Sequence, residues 1–158
     1  MLRLILDWFD HNRKFKHKLS FENEDVNWFS EALLPSPFLA RFRGDKLAES
    51  WTHADGVVGK FKIGENLFGD LSLEKECDFF FVIEAKMFSK LSRGITHAQN
   101  YNQAARNVGC IAELLIQRGL DFRNFKKLGF FVILPKEQLH TEPTFREYLD
   151  KQNVKSCL

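Results

Sequence analysis

A chain of 158 residues with 44% apolar and 28% charged residues has the bulk and balance of one ordinary globular domain, able to bury a core without disulfide or metal staples. The formal net charge of +2 selects no class of partner, so the distribution of charge carries more information than its total. Cys77, Cys110 and Cys157 are odd in number and widely spaced, which excludes a disulfide framework and a paired zinc-ligand pattern and fits a reducing, cytoplasmic compartment.

The first twenty residues read as an irregular basic segment. Their apolar start is interrupted by Asp7, too soon for a signal peptide, and no stretch is long enough to span a membrane. Basic residues concentrate at 11–18 and again at Arg118, Arg123, Lys126 and Lys127. Residues 24–34 place Val26, Phe29, Leu33 and Leu34 on one side of a helix, with Asn23 as its cap and Pro35 and Pro37 as its stop. Residues 38–50 fit a strand, a second helix or both. Alternation of Val57, Phe61 and Ile63 with Gly56, Val58, Lys60 and Lys62 predicts a strand up to Gly64. A turn-rich stretch follows, with room for a short strand at 71–74.

The strongest strand signal is Phe79-Phe80-Phe81-Val82-Ile83, an apolar run that predicts burial on both faces. After a polar loop at 89–96, residues 97–118 predict a helix, with Tyr101, Ala104, Ala105, Val108, Ile111, Ala112 and Leu115 at helical spacing and Gly119 as its cap. Residues 128–134 predict a second buried strand, closed by Pro135. The tail after Lys136 is weakly helical. The strands at 54–63 and 78–86 fit an antiparallel pair, and the helix at 97–118 fits a right-handed crossover between parallel strands. The expected fold is therefore α/β, a mixed central sheet flanked by helices. It is a single domain over 1–158, with its core at about 24–135, a basic N-terminal segment at 1–20 and a tail at 136–158.

Chemistry concentrates where the apolar run ends, at Glu84-Ala85-Lys86. Side chains alternate along a strand, so Glu84 and Lys86 share a face. A charge at the end of a buried strand needs a partner or a metal. Asp55 begins the preceding strand, and antiparallel pairing sets the start of one strand beside the end of the other. Two carboxylates held close repel unless a cation neutralises them, and Mg²⁺, with Mn²⁺ as a substitute, is the natural cation for hard oxygen ligands. Lys86 is placed to orient or deprotonate a water and to stabilise charge on a phosphate. His53 and His97 carry no pattern that separates them from ordinary structural histidines. Ser89 and Ser92 have no visible base partner, and no glycine-rich phosphate loop occurs.

Asp55-Gly56-Val57-Val58, Val82-Ile83-Glu84-Ala85-Lys86, the helix at 97–118 and the strand at 128–134 together resemble the PD-(D/E)xK nuclease superfamily, over roughly residues 24–135. The resemblance implies a restriction-endonuclease-like α-β-β-β-α-β core and Mg²⁺-dependent hydrolysis of phosphodiesters. It implies Asp55 and Glu84 as metal ligands, the Ala85 carbonyl as a further ligand and Lys86 as the catalytic lysine. Ala54 stands where the motif has proline, and the interval from Asp55 to Glu84 is long. If that interval holds a strand, Asp70 competes for the acidic position; the strand pattern favours Asp55. Some members carry an acidic residue on the first helix, the position that Glu31 fits. Several carry Gln or Tyr on the later helix near the scissile phosphate, and there Gln99, Gln103 and Arg106 form a polar stripe. The implied partner is nucleic acid, DNA before RNA, with a homodimer as one expected state. The alternative is a catalytically inactive nucleic-acid-binding or protein-interaction module on the same fold.

Overall fold

The computed structural model describes residues 1–21, 24–39, 42–45, 51–65, 69–91 and 102–157. Its centre is a four-stranded mixed sheet in the order β1-β2-β5-β6, built from β1 (Asn27–Pro35), β2 (Trp51–Gly59), β5 (Phe79–Ala85) and β6 (Lys127–Ile133). β1, β2 and β5 pair antiparallel, whereas β5 and β6 run parallel across α2 (Gln103–Arg118). The expected mixed sheet with helices on both faces is therefore present. A two-stranded hairpin, β3 (Phe61–Ile63) with β4 (Leu71–Leu73), fills the interval between β2 and β5.

The helix expected at 24–34 is instead the edge strand β1. Spacing of Val26, Phe29, Leu33 and Leu34 satisfies a helical stripe, but Trp28 and Phe29 suit a strand, and pairing with β2 decides between them. Pro35 is tolerated because it ends an edge strand. The first helix lies earlier: α1 (Leu2–His11) forms where an irregular segment was expected. It has no side-chain cap, so packing stabilises it: Leu6 and Phe9 are buried against one face of the sheet beside Val58, Phe79, Phe81 and Ile83. Each such side chain contributes about 1.5–3 kcal/mol when fully buried.

The opposite face packs α2 through Ile111, Leu114 and Leu115 onto Val57, Phe80 and Val82. Cys77 and Cys110 are buried in this cluster and form no disulfide, and burial pushes the Cys77 thiol up. α2 is described from Gln103, capped by the Asn102 side chain on the Ala105 N–H; the earlier start expected at His97 lies outside the described residues. Gly119 closes it with φ 64°, as its position implies.

One continuous strand was expected over 54–63. The chain breaks at Gly59, where a Cβ would come within 2.6 Å of the Phe79 carbonyl, and re-forms as β3 in the second sheet. β6 is a half-buried edge strand, not the fully buried one expected, because no described strand pairs with its outer side. The tail forms three short helices, α3 (Lys136–Thr141), α4 (Thr144–Tyr148) and α5 (Lys151–Cys157), and Phe145 is fully buried. Burial thus extends beyond 24–135 at both ends. Among the described residues no helix is long and apolar enough to cross a membrane.

Candidate active site

Antiparallel pairing of Gly56 with Ile83 and Val57 with Val82 carries the register onward to set Asp55 opposite Glu84. Glu84 lies on the α2 side of the sheet, since Phe80 and Val82, four and two residues before it, pack in the α2-side cluster. The Ala85 N–H donates to Asp55 Oδ2 at 2.8 Å, a bond from backbone to carboxylate that clamps the two strand ends together.

Glu84 is only 4% exposed. Lys86 Nζ reaches its Oε1 at 2.7 Å, and the Gln103 side-chain amide donates to the same oxygen. Burial drives the Glu84 carboxyl above the usual carboxylate range; the Lys86 hydrogen bond opposes this, and the charge of Asp55 adds to it. The Lys86 N–H continues the β5–β6 ladder onto the Ile133 carbonyl at 2.8 Å, which holds the lysine at the strand end.

Asp55, Glu84, Ala85, Lys86 and Gln103 are therefore brought together. Gln103 opens α2, and Asn107 holds that first turn by donating to the Gln103 carbonyl at 2.9 Å. Arg106 follows three residues on, half-buried. Gln99 lies outside the described residues. Asp70 is not part of this cluster. It bridges to Leu33 on the free edge of β1, three strand spacings or about 14 Å from β5.

Glu31 is placed by a strand, not by the helix expected. Pairing of Ser30 with Gly56 and of Ala32 with Ala54 brackets Glu31 and Asp55 as neighbours in register. Glu31 has φ 62°, however, a conformation costly for a residue with a Cβ. The kink leaves its side chain exposed on a cleft shared with Arg3 and His53.

A residue that the sequence reading passed over supports the site from the tail. Gln138 is buried; its Oε1 accepts the Phe88 N–H at 2.9 Å, and its Nε2 donates to the Ser89 carbonyl at 2.6 Å. This pins the segment leaving Lys86, where Phe88 has φ 61° and is 76% exposed. The only sequence signal was a glutamine in a weakly helical tail, some fifty residues away.

Among the described residues no group of three or more His, Cys, Asp or Glu side chains is gathered to hold a metal ion. The donor set does suit a hard cation. Hydrogen bonds to Asp55 and Glu84 from described residues fall on Oδ2 and Oε1, leaving Oδ1 and Oε2 for a ligand. Among the described residues, the two carboxylates of Asp55 and Glu84 meet one lysine, a balance that a cation would complete. No protein-family model, curated protein or solved structure matches this chain.

Proposed function

We propose that this chain is a metal-dependent nuclease of the PD-(D/E)xK type that hydrolyses phosphodiester bonds in DNA. The observation that carries the reading is the meeting of Asp55, Glu84 and Lys86 at the ends of two adjacent antiparallel strands, with one carboxylate buried and raised in pKa. Perturbed, convergent groups of this kind cluster at functional sites. Support comes also from the order of elements. Leaving the β3–β4 hairpin aside, the chain runs helix, three antiparallel strands, helix and parallel strand, the order of a restriction-endonuclease-like core.

In this reading Asp55 and Glu84, with the Ala85 carbonyl, would hold Mg²⁺ or Mn²⁺, and the ion would supply Lewis acidity and make water a better nucleophile. Asp55, tied to the Ala85 N–H, keeps its carboxylate aimed at Glu84. Lys86 exchanges its ion pair with Glu84 for the attacking water and the charge developing on the phosphate. Gln103, at the head of α2, orients Glu84 and stands where the helix N-terminus favours a phosphate.

The test is cleavage of plasmid and single-stranded DNA with Mg²⁺ or Mn²⁺, comparing wild type with Glu84→Ala and Lys86→Ala. Metal-dependent cutting by wild type, lost in both folded variants and stopped by EDTA, is expected. An inert wild type, or variants that cut equally well, would leave the inactive binding module as the better account.

A further inference from the structure

We infer that the α1–β1 connection is a second nucleic-acid site, one that binds single-stranded DNA or RNA through its backbone and base faces without cutting it. The inference goes beyond the nuclease reading and does not depend on it. The segment 14–18 is exposed throughout and alternates lysine with ring: Lys14, Phe15, Lys16, His17, Lys18. With Lys127 it lines a groove of about 790 Å³. Lys14, Lys16 and Lys18 form no ion pair with any described residue, unlike the second basic concentration of the sequence. There Arg118 is matched by Glu65, Arg123 by Asp121 and Lys126 by Asp78.

The rings are arranged as well as exposed. Phe15 and Trp8 are 50% and 47% exposed and meet edge to face at 5.3 Å, while Phe15 and His17 lie nearly parallel at 6.3 Å. The loop is fixed beneath them. Arg13 donates to the Val26 carbonyl at 3.0 Å, and the buried Ser20 hydroxyl accepts the His17 N–H at 2.7 Å while donating to the Phe15 carbonyl. A preformed row of unpaired cations beside exposed aromatic faces is the chemistry that holds a single strand: phosphates on the lysines, bases on the rings. A duplex hides its base faces and leaves the rings unused.

The site is also separate from Glu84. Lys127 pairs with Phe79 at the start of β5, and Ile133 pairs with Ala85 at its end, about 20 Å further along the sheet. A strand held here is thus anchored away from the acidic pair.

The experiment is fluorescence anisotropy of a labelled oligo-dT of about 20 nucleotides with the full chain in EDTA, repeated over a range of salt. Wild type is expected to bind. The triple variant Lys14→Ala/Lys16→Ala/Lys18→Ala is expected to lose at least about tenfold in affinity, with a salt slope flatter by about 2. Phe15→Leu keeps the apolar bulk and removes the ring face; it should melt like wild type and bind about 5- to 100-fold more weakly. Arg118→Ala, in the ion-paired basic concentration, should bind as wild type does, which separates this site from the rest of the basic surface. No binding by wild type overturns the inference. So does unchanged binding by the triple variant or by Phe15→Leu. Binding to anionic phospholipid vesicles but not to oligo-dT would make this a membrane-facing patch and overturn it equally.

Discussion

The two ends of β5 carry similar residues and behave in opposite ways. At its start Lys60 bridges Asp25 and Asp78, at 2.8 and 3.1 Å, and Lys126 reaches Asp78 at 2.7 Å. At its end Lys86 meets Glu84 at 2.7 Å, with Asp55 alongside. The first cluster balances two acids with two lysines and is open to water at its outer members: the Asp25 and Lys126 side chains are 63% and 70% exposed, those of Asp78 and Lys60 23% and 13%. Lysine hydrogen bonds hold both carboxyls below their usual range, chiefly that of Lys60 for Asp25 and that of Lys126 for Asp78. Among the described residues the second cluster sets two acids against one lysine, with the Glu84 and Lys86 side chains only 6% and 14% exposed, and there the Glu84 carboxyl rises. Balanced charge acts as a structural fastening, whereas a buried carboxylate that shares one lysine with a second acid favours a further cation.

The sharpest way to break this comparison is to remove one charge at each end. Lys86→Ala is expected to cut the rate of DNA cleavage by about 10²–10³ or more while the protein stays folded, as loss of a charge-stabilising donor does. Lys60→Met should leave cleavage intact. Steady-state cleavage by both variants, beside their circular dichroism, checks this; equal losses would dissolve the distinction.

A smaller effect is expected from Gln138→Ala. It strands the Phe88 N–H and the Ser89 carbonyl, at a cost of about 1–3 kcal/mol, and loosens the backbone behind Lys86. Thermal melts should show the loss of stability, and the cleavage rate should fall with little change in KM. A melt unchanged from wild type would remove Gln138 from its supporting role.

The two ends should also differ in their response to pH. The Glu84 carboxyl is raised in the fold, so its favourable contribution is complete below the ordinary glutamate pKa and is lost as pH rises through the folded value. Asp78 and Asp25 are lowered, so theirs is present above the ordinary aspartate pKa and is lost as pH falls through their folded values. In EDTA, Glu84→Gln is expected to flatten the decline in melting temperature on going from weakly acidic to neutral pH. Added Mg²⁺ should do the same for wild type by favouring the ionised carboxyl. Parallel profiles for Glu84→Gln and wild type would contradict the direction assigned to Glu84.

The least effect belongs to the balanced cluster. Lys60→Met should cost about 1 kcal/mol, and its pair with the exposed Asp25 should contribute only at low ionic strength, where it is unscreened. Melts at two salt concentrations read this difference.

Much of the fold was legible because β5 and α2 carry strong, unambiguous periods. Five apolar residues in a row admit a buried strand, and the stripe from Ala104 to Leu115 admits only a helix. With those placed, the shared face of Glu84 and Lys86 follows from alternation, and the approach of Asp55 follows from antiparallel pairing. The two elements within the first 35 residues, α1 and β1, differ from expectation for a physical reason. Val26, Phe29, Leu33 and Leu34 satisfy a helical stripe as well as a strand, and the basic run after His11 masked the short amphipathic helix before it.

The sequence by itself determined the local periods of β5 and α2, the side on which Glu84 and Lys86 stand, and the need of those charges for partners, since all three are properties of neighbours along the chain. Only the tertiary structure decided that Glu31 belongs to a kinked strand, that Asp70 lies on the far edge of β1, that Gln138 braces the segment after Lys86 and that the two basic concentrations have different fates. Each of these depends on which distant residue arrives opposite, and pairing between segments far apart in the chain is set by the packing of the whole sheet.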